Sequence, residues 1–356
     1  MSLPATMRAV LLTGNGGFDR LELRDDIAVP LPGAGEVLVR VGAAGVNNTD
    51  INTRIGWYSK AVAEATEVGG TTGIVGAEDD GWSGAAFSFP RIQGADACGA
   101  IVAVGDGVDP ARIGERVLVE PVFRGSSRFD GRYFGSEVDG AFAEYARVPS
   151  PHAHRIECTL TDVELASFPC AYSAAENMLT RIGLTAGEHV LITGASGGVG
   201  SAAVQLAKRR GAHVTAIAGA DKAEAVRALG ADRVIPRDAD LAALFGDEVF
   251  DAAVDIVGGA QFAAILACLK RGGRYGVAGA ISGPVAELDL RTLYLKDLRL
   301  LGCTILDEGV FANLVGYIER GEIRPLVAAT YPLAEIVAAQ QAFLTKRHVG
   351  KIVLTL

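Results

Sequence analysis

The stretch VLITGASGGVGSAAVQLA, residues 190–207, sets Gly194, Gly197, Gly198 and Gly200 between an apolar run of strand character and a helix-spaced apolar stripe, Val199, Ala203, Leu206 and Ala207. A dinucleotide pyrophosphate requires backbone N–H donors at close range and a helix N-terminus aimed at it, and side chains on the loop would obstruct both. Ala195, Ser196, Gly197, Gly198 and Val199 are therefore the residues expected to line a dinucleotide. The next strand, HVTAIA, ends at Ala218, Gly219 and Ala220 without the carboxylate that would accept from a ribose 2′-OH. Gly219 and Lys222 are read as the adenosine-ribose contacts, with Lys222 as the cation for a 2′-phosphate and Asp221 as its competitor. The expected cofactor is NADPH in preference to NADH.

A second chemical candidate is AAGVNNTDINTRIGWY, residues 43–58. Tyr58 offers a phenol, suited to donate a proton and unsuited to act as a base near neutrality. Asn47 can both give and accept hydrogen bonds and is expected to hold the nicotinamide side of the cofactor. The alternatives are an Asx-turn for Asn47 and a pocket wall for Tyr58. The five cysteines are scattered and odd in number, as expected of reduced thiols in the cytoplasm, and the five histidines show no metal spacing. His152 and His154, beside prolines, are expected at the surface.

These residues need a scaffold. About the first 150 residues read as short strands between turns, including EVLVRVGAAGV, GAIVAVG and AFAEYARV. TDVELASFPCAYSAAENMLTRIG has helical spacing, opened by a capping box from Thr161 and Glu164. From His189 strand, turn and helix alternate, the signature of a parallel doubly wound sheet, and GKIVLTL at the end reads as a strand returning to the first domain. The fold class is α/β: a β-rich domain over 1–160, a cofactor domain over 161–306, and the β-rich domain completed by 307–356.

The segments GEVLVRVGAAGVNNTD, QGADACGAIVAVGDGV, DGAFAEYARVP, GASGGVGSAAVQLAKRRGA, FDAAVDIVGG and HVGKIVL together resemble the medium-chain dehydrogenase/reductase superfamily along essentially the whole chain. The resemblance implies a GroES-like β-rich catalytic domain, split by a Rossmann domain, with the active site between them, and a homodimer paired through LRLLGCTI. It adds Val257, Gly279 and Lys351 to the cofactor-binding set. Zinc-dependent members place catalytic ligands at positions that match Asn47, Ala95 and Cys170. One thiol with two non-ligating side chains does not make a catalytic zinc site. The segment that matches the cysteine-rich structural lobe, PVFRGSSRFDGRYFGSEVDG, has no cysteine. No zinc is therefore expected. The pattern is similar to the zinc-free branch of quinone oxidoreductases and enoyl-thioester reductases, in which the tyrosine at the Tyr58 position is the proposed proton donor.

The expected activity is NADPH-dependent, metal-independent hydride transfer to an activated double bond or a quinone. A zinc-containing alcohol dehydrogenase rebuilt around Cys170 with Asp96 or Glu120, and a non-catalytic, crystallin-like NADPH-binding protein, stay open. Residues 59–90 are read as a substrate lid walled by Trp82, Phe87 and Phe89, or as a surface excursion. Arg124, Arg128 and Arg132 are candidate contacts for an anionic substrate tail. A net charge of -9 argues against nucleic acid and anionic membrane as partners, and no apolar run is long enough to span a bilayer. No signal peptide is evident, and a cytoplasmic protein acting on a small-molecule substrate is expected.

Overall fold

The computed structural model describes residues 3–77, 81–84 and 87–356. The chain divides into two units. Met1–Val62, Val68–Cys170 and Phe311–Leu356 form the first, and Ala63–Glu67 and Ala171–Val310 form the second.

The hub of the first unit is the long strand Glu36–Val46, whose Val37, Val39, Val41, Ala44 and Val46 enter the core. It pairs antiparallel with Cys98–Val104, with Tyr145–Pro149 and with the C-terminal strand Lys351–Thr355. The last register sets Ile352 opposite Val46, so Lys351 arrives beside Asn47. A smaller sheet of Leu21–Ala28, Thr6–Leu12 and Arg91–Ile92 stands apart from this one.

Immediately after the hub strand comes the helix Asn48–Ile55. Asn47 is its N-cap, and the Asp50 carboxylate accepts from the Asn47 backbone N–H at 2.7 Å, closing the start of the helix. Gly56, at φ 77°, ends it in the left-handed conformation that favours glycine. Arg54 in the last turn is fully buried. It donates to Gln340 Oε1 at 2.9 Å, Gly16 O at 2.8 Å and Gly70 O at 2.6 Å, pinning the insertion to the helix. Burial draws its pKa down to about 10.

Thr161 and Glu164 do form a capping box, but the helix they open runs only Asp162–Leu165 and packs on the hub strand, which keeps it in the first unit. A second helix, Pro169–Arg181, follows. The single helical run expected from spacing is thus broken at Pro169, because proline has no N–H to continue a helix and suits its first turn.

In the second unit all six strands are parallel, in the order Arg233–Ile235, His213–Ile217, His189–Ile192, Phe250–Asp255, Leu269–Val277, Arg299–Gly302. That order reverses at His189–Ile192, which makes the crevice beyond its C-terminal end the natural ligand position. The run AQFAAILACLKRGG is not helical throughout: the helix Phe262–Cys268 gives way to a strand at Leu269, with Gly272 at φ 72° in the bend. Among the described residues no helix is long and apolar enough to cross a membrane.

Candidate active site

The helix Gly198–Arg209 begins at Gly197, which leaves its first-turn N–H groups without a side-chain cap. Gly194 stands at φ 58°, and a Cβ on Gly200 would lie 2.2 Å from Gly194 O. A Cβ on Gly197 would meet only Gly194 O, at 3.5 Å. The turn is closed on its protein side and open above, a cradle that fits a pyrophosphate. Ala195, Ser196 and Val199 belong to the same turn. Gly219 follows the strand His213–Ile217, Val257 follows Phe250–Asp255, and Gly279 follows Leu269–Val277, where a Cβ would lie 2.9 Å from Ile256 O. The predicted cofactor residues of this unit therefore gather at the C-terminal ends of four neighbouring parallel strands.

Charges of both signs stand close to Gly219. A Cβ there would be 2.6 Å from Asp221 Oδ1 and 3.9 Å from the Arg237 guanidinium carbon. Lys222 is buried, and its pKa is lowered first by that burial and then by the charge of Arg237, with Asp221 acting the other way. Arg237 had no local signal in the sequence. It follows the third strand and reaches Gly219 only because strands Arg233–Ile235 and His213–Ile217 are adjacent.

In the first unit, Asn47, Lys351 and Asp96 form one closed network. Lys351 Nζ lies 2.7 Å from Asp96 Oδ2, 2.5 Å from Asn47 Oδ1 and 3.0 Å from Val46 O. Asn47 Nδ2 donates to Asp96 Oδ2 at 2.8 Å and to Gly45 O at 3.3 Å, and Asp96 Oδ1 accepts from the Cys170 backbone N–H at 2.5 Å. Side-chain exposure of the ion pair is 3% and 0%, so its charges are held in a low-dielectric setting. The Asn47 amide and the Lys351 ammonium, which sequence reasoning gave to the cofactor, have their polar atoms taken by protein partners.

Around this network stand groups able to move or hold a proton. Asp50 also accepts from Gly94 N–H, and burial raises its pKa to about 7 against the pull of these N–H groups and Lys351. Cys170 Sγ is 2.9 Å from the Tyr133 hydroxyl, and burial followed by the Asp96 charge pushes the thiol up to about 12. Tyr58 is half-buried and hydrogen-bonded to Asn52. Burial raises its pKa, and the nearby Cys170 and Asp50 raise it further, so the phenol stays protonated. Asn47, Tyr58 and Lys351 are thus brought to one neighbourhood, together with Asp96, which the sequence reading considered only for a rebuilt metal site, and with Asp50 and Tyr133, which it did not single out. Asp50 could have been found, three residues beyond an N-cap asparagine. Tyr133 carried no such signal.

The donors do not fit catalytic zinc. Asn47 and Ala95 offer no imidazole or thiolate, and Asp96 is already paired with the Lys351 ammonium. Glu120, the other carboxylate considered, lies against His154 Nε2 at 3.0 Å and His152 Nδ1 at 3.3 Å. Burial alone would raise its pKa, but the hydrogen bonds from the two imidazoles prevail and hold it at about 2. Both histidines are partly buried on Glu120, contrary to the surface positions expected.

Within the insertion, Trp82 stacks on Tyr133 with ring centroids 4.9 Å apart, whereas Phe87 pairs with Phe89 and lies under Arg91. Residues 78–80 and 85–86 of the proposed lid fall outside the described residues. Arg124 pairs with Glu120 at 3.5 Å, and Arg128 lies over Phe129.

Comparison with known proteins agrees with this architecture. Residues 33–157 match the alcohol dehydrogenase GroES-like domain, and residues 198–320 match the zinc-binding dehydrogenase family. A solved structure of a candidate alcohol dehydrogenase from Sinorhizobium meliloti is 46% identical, covers 99% of this chain and 97% of its own, and superposes with a TM-score of 0.88. The acryloyl-coenzyme A reductase of Metallosphaera sedula is 29% identical over 98% of this chain and 100% of its own length. Human quinone oxidoreductase is 28% identical over 98% of each. The chain belongs to the medium-chain dehydrogenase/reductase superfamily, in its quinone oxidoreductase and enoyl reductase-like branch. It is accordingly an NAD(P)H-dependent oxidoreductase.

Proposed function

We propose that this oxidoreductase reduces activated double bonds or quinones with NADPH and without a metal. The observation that carries the reading is the closed Asn47–Lys351–Asp96 network, which stands where a zinc-dependent relative would need ligands, beside a phenol kept protonated. A bound reduced nicotinamide supplies the hydride. The chain must then stabilise charge on a carbonyl oxygen and deliver a proton, and an enolate is a milder charge to hold than the alkoxide of direct ketone reduction. Tyr58 is the proton donor in this reading. Asp96 and Lys351 fix Asn47, and through it the start of the helix that leads to Tyr58. The test is NADPH oxidation with quinone, enone and enoyl-thioester substrates, with and without chelator. Activity lost to chelator and restored by zinc would sink it.

The preference for NADPH rests on Lys222 and Arg237, two cations that repel one another and gain from a shared phosphate. Alanine at either position is expected to raise the dissociation constant for NADPH about 10-fold while leaving NADH within twofold. Equal losses for both cofactors would instead give the ribose to Asp221.

A homodimer is supported by the edge strand Arg299–Gly302 and by the exposed apolar side chains Leu290, Tyr294, Leu295 and Leu300 nearby in sequence. Tyr294→Glu with Leu300→Lys is expected to convert a dimer to a monomer in sedimentation, and a wild-type monomer would refute the assignment. The five cysteines, none in a disulfide, fit a reducing compartment such as the cytoplasm.

A further inference from the structure

Tyr133 ends the strand Gly131–Tyr133, one arm of a hairpin with Val122–Arg124. Its backbone N–H donates to Glu137 Oε2 at 3.0 Å. Its ring is covered by Trp82, which is itself tied down where the Trp82 N–H donates to Ser136 Oγ at 3.3 Å and the Ser83 N–H to Glu137 Oε1 at 2.9 Å. The residue is 5% exposed, so the position of its hydroxyl is fixed by packing. That hydroxyl lies 2.9 Å from Cys170 Sγ and 3.4 Å from Thr49 Oγ1, and both of these neighbours are half-buried. Neither is a strong acceptor for a phenol: a thiol sulfur accepts weakly, and the threonine oxygen is at the limit of hydrogen-bonding distance. Burial holds the phenol well above its ordinary pKa, so it remains an O–H donor at any working pH. A desolvated, rigid donor with no strong acceptor among the described residues, beside a partly open thiol and hydroxyl, is built to gain most when an oxygen of growing negative charge comes within reach.

We propose that Tyr133 is a further catalytic residue, whose hydroxyl donates a hydrogen bond to the carbonyl oxygen of the substrate as that oxygen becomes an enolate. The assignment rests on the reading of the protein as a conjugate reductase. The β-carbon gains the hydride pair, the C=C pair becomes the new Cα=C bond, and the carbonyl π pair moves to oxygen. Tyr133 keeps its proton and holds that oxygen. The Tyr58 O–H bond then breaks, its proton forms the new bond at the α-carbon, and the phenolate recovers a proton from water. Tyr133 and Tyr58 thus serve different atoms of the substrate.

Tyr133→Phe keeps the ring on Trp82 and removes only the donor. It is expected to lower kcat on the order of 100-fold, with the NADPH dissociation constant and the unfolding midpoint unchanged. In Tyr58→Phe/Tyr133→Phe the two losses should multiply, because the roles are separate. A second readout needs no turnover: 4-nitrophenolate, a planar oxyanion, titrated into protein saturated with NADP+. Wild type should bind it at least tenfold more tightly than Tyr133→Phe, with Thr49→Val close to wild type. Equal binding by wild type and Tyr133→Phe, or no binding by wild type, would overturn the donor role, as would a kcat within twofold of wild type. Wild type inactive on every conjugated carbonyl would overturn the reductase reading, while the nitrophenolate titration still decides for or against Tyr133.

Discussion

Lys351→Met is expected to cost about 3–5 kcal/mol of stability, because it leaves the Asp96 carboxylate buried without its cation. Asp96 is fully buried, and the Lys351 ammonium and the Asn47 amide meet its Oδ2 and offset the loss of water. Methionine matches the length of the aliphatic stem, so little of the loss would come from packing. The effect should reach the site as well: without Lys351, Asn47 Oδ1 loses its donor and the start of the helix Asn48–Ile55 loosens. Chemical denaturation of wild type, Lys351→Met, Asp96→Leu and the double variant closes a thermodynamic cycle. The double variant should recover most of the stability lost by Lys351→Met, since an apolar pair of similar volume replaces a desolvated ion pair at little cost. Losses that simply add would mean that the two charges do not depend on each other, and the network would then be incidental.

Tyr58→Phe is expected to lower kcat about 10–100-fold with the KM for the electron acceptor less affected, the pattern for a group that acts in the transition state. The phenol is well placed to remain a donor. Burial and the neighbouring Cys170 and Asp50 oppose its ionisation, and Asn52 holds it by a hydrogen bond. The alkaline limb of the wild-type kcat profile should accordingly lie above the ordinary tyrosine range. Steady-state kinetics with a quinone and an enone, in protonated and deuterated water, tests the step. A solvent isotope effect present in wild type and changed in the variant supports proton delivery. A variant that keeps wild-type kcat would leave Tyr58 as a wall of the site, beside the Trp57 ring that meets it edge-on at 5.6 Å.

What the sequence determined by itself is whatever short-range physics controls. The turn over 194–200 was legible because the pyrophosphate cradle is a local object, a strand, a set of glycines and a helix start within a dozen residues. The capping box at Thr161 was legible for the same reason, although the length of its helix was not, because Pro169 interrupts the periodicity the eye follows. The alternation after His189 announced a parallel sheet, since parallel strands need helical crossovers. The ionic network was decided by tertiary structure alone. Asn47 and Lys351 are 304 residues apart and meet through one strand register, and a shift of a single residue would turn Lys351 to the other face. Arg237 reaches Gly219 by strand adjacency, and Tyr133 reaches Cys170 from a three-residue strand too short to show a period. Local patterns set out the glycine turn within a few residues. The ionic network and the Tyr133–Cys170 contact are assembled by long-range pairing and packing, which leave no mark on the spacing of the residues they bring together.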